Sequence, residues 1–434
     1  MLIRSQEKQI YPFEYRLEKI NIISTLVDKT IDITSTVGEF SLYENLFTNT
    51  MTGNVYIQEQ VNLISNLPIV GHEQIEITLY DPQLPDTEIT HTFRIYSITN
   101  VANPNQVSRS YILNFVSEEH LTNLKTSISR SYRQQTISSI VNSICTSDLN
   151  LSRIDLEKTG NIHDIVIPNW KPFHAISWLS KRAVSENFEG ANYLFYQTRE
   201  GYSFRCLESL MSGSSQKTYE TLIEREERKN VPEDDTRNSI LSMNLDKTFD
   251  LLENIPTGMY ANRLVIHDMI QRKTETLDFN YAESYSNQTH LERGDSAKWG
   301  YGEIQGIDVQ GSSMLVGKET DQYTTSPLSK QFFISRFDEK NNYTEKTIQN
   351  RVSQIQQTQN IKLRLDVAGD ITRKVGDVIE IDMDSIQAGG RVVDKMYSGR
   401  YLITSLRHLI TDGRHNMIMG AMKDSYFNSL PKGK

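Results

Sequence analysis

The chain has 434 residues, 46 Lys and Arg against 55 Asp and Glu, a formal charge of −9 and 37% hydrophobic residues. That apolar content supports packed cores and excludes wholesale disorder, while the length calls for two to four domains. The acidic balance argues against a protein that grips nucleic-acid phosphates, and two distant cysteines, Cys145 and Cys206, suit assembly in a reducing cytoplasm.

No apolar run approaches the ~20 residues that span a bilayer, and Met1 to Lys8 holds no apolar signal core, so no membrane span is expected. The first 118 residues alternate as strands do. Ile75, Ile77 and Leu79 interleave with Glu76 and Thr78; Phe93 and Ile95 repeat the pattern, as do Tyr111, Leu113 and Phe115. Asp81-Pro82, Pro85-Asp86 and Asn103-Pro104-Asn105 supply the turns. Several short antiparallel strands of this kind predict a sandwich or barrel.

After Glu118 the period changes. Ile137, Ile140, Val141 and Ile144 mark one helix, and Pro172 opens a second whose apolar face carries Ile176, Leu179 and Ala183. A hairpin follows, Tyr193 to Gln197 and Tyr202 to Leu207, turning at Arg199-Glu200-Gly201. Residues 211–237 read as a polar connector. A second β-rich region starts near 238, with strands at Arg263 to His267 and Glu275 to Phe279, and 281–330 reads as loops. A helix from Asn342 to Gln359 places Ile348, Val352 and Ile355 on one side, with Asn342 and Glu345 as a capping pair. Strands follow at Ile361 to Val367 and Val378 to Met383, then a hairpin turning at Asp412-Gly413. The layout suggests two copies of one β module without a residue-level repeat.

No catalytic constellation emerges. The nine histidines (72, 91, 120, 163, 174, 267, 290, 408 and 415) form no HExxH, and neither cysteine sits in a CxxC. GSSMLVGKET at 311–320 fails as a phosphate loop, because its glycine spacing is one residue too long and Glu319 replaces the metal-binding hydroxyl. Gly300, Gly302 and Gly306 are one residue off a dinucleotide fingerprint, and there is no GxSxG. Trp170 and Trp178 read as core packing beside a helix start, and Trp299 lies in a Gly-rich loop. The 21 tyrosines suit subunit interfaces and sheets alike. The expectation is therefore a non-enzyme with no catalytic, cofactor-binding or metal-binding residue and no cofactor.

The order of several short motifs resembles the central baseplate hub proteins of contractile-tailed, T-even-like bacteriophages and related contractile injection systems. Phe40-Ser41-Leu42-Tyr43 leads to Thr52-Gly53-Asn54-Val55-Tyr56-Ile57, then to Ile69-Val70-Gly71-His72-Glu73-Gln74-Ile75 and Phe93-Arg94-Ile95-Tyr96. Arg130-Ser131-Tyr132, expected to open a helix, precedes Ile167-Pro168-Asn169-Trp170-Lys171-Pro172-Phe173. Gly369-Asp370-Ile371-Thr372, Val375-Gly376-Asp377-Val378-Ile379 and Gly399-Arg400-Tyr401-Leu402-Ile403-Thr404 complete the series.

The resemblance implies a mainly β, α+β chain with two tube-like antiparallel β-barrels. The first would span 1–118 with 205–237, and a mixed α+β insert 119–204. The second barrel would span 238–330 with 360–427, joined by a connecting helix at 331–359, with 428–434 as a tail. It implies a homotrimer presenting six similar modules, which adapts a sixfold tail tube to a threefold central spike in the virion baseplate. Wedge proteins and a tape measure are further implied partners, and genomic DNA would pass through without tight binding. Three copies sum to 3 × −9 = −27, and a channel wall of that sign would repel phosphates. A tail-borne cell-wall or polysaccharide hydrolase, a carbohydrate- or receptor-binding module, and the hub of an injection system remain alternatives.

Overall fold

The computed structural model of the chain describes residues 16–24, 29–67, 69–80, 89–104, 108–188, 190–221, 238–248, 250–254, 256–280, 284, 287–292, 302–304, 307–309, 330–336, 344–359, 361–385, 393–394, 396–411 and 413–425. Among these residues no helix is long and apolar enough to cross a membrane. The architecture is mainly β, as expected, with two sheet modules and a mixed insert between them in the chain.

The first module holds β1 (Arg16–Ser24), β2 (Lys29–Asp32), β3 (Val37–Asn45), β4 (Thr52–Glu59), β5 (Gln74–Tyr80), β6 (Ile89–Ala102) and β7 (Arg109–Val116). They lie in the order β2-β1-β5-β6-β7-β4-β3. The predicted alternation is what buries one face: Val55 and Ile57 point inward from β4 while Tyr56 and Gln58 point out. The core gathers Phe40, Leu42, Ile75, Phe93, Tyr111 and Phe115. Gly53 is fixed by packing, since a Cβ there would stand 2.3 Å from Phe115 Cζ and 2.6 Å from the Ser41 carbonyl oxygen.

The insert contains β8 (Ile128–Gln135), β9 (Ile154–Leu156), β10 (His163–Trp170), β11 (Tyr193–Thr198) and β12 (Gly201–Cys206). Its helices Ile137–Ser147 and Pro172–Ser180 bury the predicted stripe Ile137, Ile140, Val141 and Ile144 against Ile176 and Leu179. The Thr136 hydroxyl caps the first by accepting from the Ser139 amide at 3.3 Å. Arg130-Ser131-Tyr132 opens no helix; it sits inside β8, paired with β10, because only Ile128 and Tyr132 of that segment reach the core.

The second module is a closed six-stranded barrel of β13 (Ser215–Thr221), β14 (Ser239–Lys247), β20 (Ile361–Ala368), β21 (Val378–Asp382), β22 (Gly399–Thr411) and β23 (Arg414–Lys423). Three expectations are corrected here. Residues 215–221 belong to this barrel and not to the first, because β13 pairs with β21 and β14. It does so in parallel, so the barrel is not wholly antiparallel. Residues between β14 and β20 leave the barrel: β15 (Ala261–Asp268), β16 (Lys273–Asn280) and β19 (Lys330–Arg336) form a separate sheet, and β17 (Gly302–Ile304) pairs with β18 (Ile307–Val309).

The two modules share one wiring plan. Apart from β2, the first has β1, β3, β4, β5, β6 and β7 in chain order; the second has β13, β14, β20, β21, β22 and β23. In both, the first strand pairs with the fourth, the fourth with the fifth, the fifth with the sixth, the sixth with the third, and the third with the second. The second strand meets the first only in the barrel, through Glu220↔Ser239 and Thr221↔Ile240.

The helix predicted from Asn342 runs over Thr344–Thr358, and Asn342 lies outside the described residues. Its burial is inverted. Gln349, Ser353, Gln354 and Gln357 are buried, whereas Ile348, Val352 and Ile355 are only half-buried. The surfaces it meets are polar: the Gln349 amide donates to the Leu277 carbonyl at 3.0 Å and the Ser353 hydroxyl to the Met259 carbonyl at 2.8 Å.

Candidate functional site

The feature that ties the whole chain together is the joint between the modules. β22 is 13 residues long. Its first part, Gly399 to Leu402, pairs with β21 inside the barrel, while Ser405 to Thr411 leave that partner and pair with β3, register Ser405↔Asn45 to Thr411↔Glu39. The free edge of the first module is thereby satisfied by the second.

A tip of the insert is driven into this joint. Arg199, in the β11–β12 turn, donates from Nε to Glu44 Oε1 at 2.7 Å, with side-chain exposures of 5% and 0%. Arg199 Nη2 donates to the Arg373 carbonyl, and Glu44 Oε2 accepts from the Val375 amide at 3.3 Å. Gln197 Oε1 accepts from the Met51 amide at 2.9 Å and the Ser117 hydroxyl at 2.6 Å. The Glu44 side chain of the first module, two backbone groups of the second and one hairpin of the insert are thus held by charge-assisted bonds in a buried setting, where removing one partner strands the other.

Two of the nine histidines meet at the joint. His408 Nδ1 and His415 Nε2 are 3.0 Å apart, both buried. Burial, then the Arg199 cation, then His415, hold the His408 imidazole well below its ordinary range. Burial and Arg199 pull His91 down to about 4. His290 pairs separately with Asp424 at 2.6 Å. Among the described residues no group of three or more His, Cys, Asp or Glu is arranged to hold a metal ion. Cys145 and Cys206 are free and buried, and burial raises each thiol to about 12, so neither is a ready nucleophile.

Beside the joint, a cleft of about 560 Å³ separates the insert from the turn before β21. Its charges are mostly paired: Glu200 with Lys374, and Asp155 with Arg205 at 3.8 Å. Burial raises the Asp377 carboxyl, opposed by the Lys374 amide and the Arg373 cation. No histidine or cysteine lines the cleft. The segments 311–320 and Trp299 lie outside the described residues.

The face turned away from both cores crosses the joint as one polar surface. Asn114 Nδ2 donates to Ser97 and Thr99 at 3.1 and 3.0 Å, and Asn54 Nδ2 to the Tyr43 hydroxyl at 3.3 Å. Arg407 bridges the joint, donating to Glu39 and Ser41 at 2.9 Å each. The acid excess of the chain is not concentrated here: Lys362, Arg364, Arg407 and Arg414 stand on this face with Glu39 and Asp366.

Among the strand edges left open in the described residues are one on β6 and one on β14. β6 pairs with β5 only up to Arg94, so Ser97 to Ala102 have β7 on one side alone. β14 meets β13 only at Ser239 and Ile240, so Leu241 to Lys247 have β20 on one side alone. Both carry exposed apolar side chains, Val101 at 55% on one, Leu241 at 41% and Met243 at 40% on the other. Sequence reasoning missed the joint because its partners are 155 residues apart; the one signal was a charged Arg199-Glu200 turn between apolar strands.

No protein-family model matches this sequence, and no curated protein matches it. Solved structures do. The 43 kDa tail protein of prophage MuSo2 from Shewanella oneidensis is 12% identical, covering 94% of this chain and 99% of its own, with a TM-score of 0.54. The tail protein from Neisseria meningitidis MC58 is 9% identical, covering 95% and 97%, with a TM-score of 0.53. Over nearly its whole length, this chain has the fold of phage tail proteins.

Proposed function

We propose that this chain is a structural hub of a phage tail baseplate that assembles as a ring of three copies and six modules. The observation that carries this reading is the pairing of β3 with the outer part of β22. It joins the second strand of one module to the fifth strand of the other. The same wiring leaves the second strand of the barrel, β14, and the fifth strand of the first module, β6, open over Leu241 to Lys247 and Ser97 to Ala102. β14 of one copy pairs with β6 of the next and repeats between chains the joint already made within one. A head-to-tail contact of this type closes into a ring when its rotation allows. Three copies close it with six near-equivalent joints, which fits a sixfold tube above and a threefold spike below.

The shared polar face then lines the channel. Its amides and hydroxyls dilute the charge, and its four named cations against Glu39 and Asp366 make it mildly cationic, so the anionic wall expected from the −27 of three whole chains is not carried by this face. Sparse charge suits passage of DNA, since phosphate affinity grows with each counterion released. The role is assembly, located in the virion, with tube, spike and wedge proteins as partners.

Mass in solution tests the reading. Three chains of 50.0 kDa give a 150 kDa particle, formed alone or on adding the spike protein. A 50.0 kDa species that persists with both tube and spike proteins present would overturn it.

A further inference from the structure

A second surface lies on the insert. Trp170 ends β10, His174 and Trp178 follow on the helix Pro172–Ser180, and Arg182 lies just beyond it, each four residues from the last. Trp170 and Trp178 pack against the insert core, as expected, but are only half-buried, and His174 and Arg182 beside them are exposed. The rings form a ladder. Trp170 meets His174 at 5.0 Å and Trp178 at 5.4 Å, and the Arg182 guanidinium lies 3.6 Å from the Trp178 ring centroid. Arg182 Nη1 also donates to the Trp178 carbonyl at 3.2 Å. The helix beneath is anchored by Phe173, Ile176 and Leu179 in the insert core.

Three cations surround the ladder: Lys171, Lys181 and Arg182. Lys171 Nζ donates to the Leu124 carbonyl at 2.8 Å, and no carboxylate pairs with any of the three among the described residues. An arginine already flattened on an indole loses little freedom when its fork takes a carboxylate. Tryptophan and arginine are also the side chains most enriched where protein contacts concentrate their energy.

We propose that this ladder docks an acidic, apolar-flanked peptide segment of a partner protein, a carboxylate on Arg182 and apolar neighbours on Trp170 and Trp178. Charge complementarity favours this occupant, because the patch holds unpaired cations in a chain whose net charge is −9. Geometry disfavours others. Arg182 covers the Trp178 face that a sugar ring would stack on. Trp170 and Trp178 cross at 61°, leaving no parallel slot for a base.

The test uses the full chain on two immobilised peptide libraries, one alternating Asp or Glu with Leu and Pro, the other with Asn and Gln in place of the acids. Peptidoglycan fragments and oligothymidine are run alongside. The proposal predicts retention by the acidic library at least about tenfold above the amide library, falling with salt. Arg182→Gln and Trp178→Ala should each lose about tenfold and Arg182→Lys less, with melting unchanged for the Arg182 variants. Equal or absent retention by both peptide libraries, retention unaffected by Arg182→Gln, or stronger retention by glycan or oligonucleotide would overturn it. The proposal stands apart from ring formation, which these readouts do not depend on.

Discussion

The two sheet modules follow one strand order and end differently. In the barrel, β13 runs in parallel between β21 and β14 and closes the ring. In the first module β3 and β1 do not pair, and β3 leans on β22 instead. The barrel closes on itself through two residue pairs and leaves β14 open beyond them, whereas the first module closes only against its neighbour. A closed barrel removes its edges, and an open one must have them covered. The joint is where that covering happens, and its buried charges fix which edge meets which.

The largest test of this contrast removes the cation at the joint. Arg199→Ala leaves the buried Glu44 carboxylate unpaired and should lower unfolding free energy by ~3–5 kcal/mol in denaturant titration. Arg263→Ala breaks the half-exposed pair with Asp278 at 2.8 Å on the separate sheet and should lower it by less than ~1 kcal/mol. Equal losses would show that the joint is not special. Next, Gly53→Ala forces the Phe115 ring or the Ser41 backbone to move and should lower the unfolding free energy by ~1–3 kcal/mol, loosening the open module ahead of the barrel in hydrogen exchange. Simultaneous loosening of both would mean the modules unfold as one.

Acid sharpens the comparison further. His91 and His408 stay neutral in the fold below the ordinary value of 6.5, with His91 held to about 4. Below 6.5 the unfolded chain binds more protons than the folded one, so stability must fall as pH drops. That fall continues toward about pH 4 for His91, with a slope of up to ~1.4 kcal/mol per pH unit for each group. Replacing Arg199 by Gln removes one cause of both depressions and should flatten that slope in melts between pH 7 and pH 4.5. An unchanged slope would assign it to other groups. The smallest stability effect belongs to Leu241→Lys with Met243→Lys. These exposed positions should change unfolding by no more than ~0.5 kcal/mol while abolishing the 150 kDa particle.

Much of the fold was legible locally. The strands Ile75 to Leu79 and Tyr111 to Phe115 and the helix from Ile137 announce themselves by period, because each buries one face against a single core. What stayed hidden was set by distance. β13 reads as a polar connector, and only Tyr219 of its residues is fully buried, so its place in the barrel comes from β21, some 160 positions later. The helix Thr344–Thr358 misleads because its buried neighbours are carbonyls and amides, which its glutamines satisfy. At the joint, Glu44 lies among apolar neighbours and Arg199 in a turn, and nothing local links them. The tryptophan spacing was visible, but periodicity alone cannot tell a buried stripe from a displayed one.

The direct measurement is cysteine crosslinking between copies. With Met243→Cys on β14 and, in turn, Ser97→Cys, Thr99→Cys or Val101→Cys on β6, mild oxidation should yield covalent dimers and closed trimers for at least one pairing, and none when either cysteine is absent. Both native thiols are buried and should stay silent. Assembled particles of 150 kDa in which no β14–β6 pair crosslinks would contradict the account.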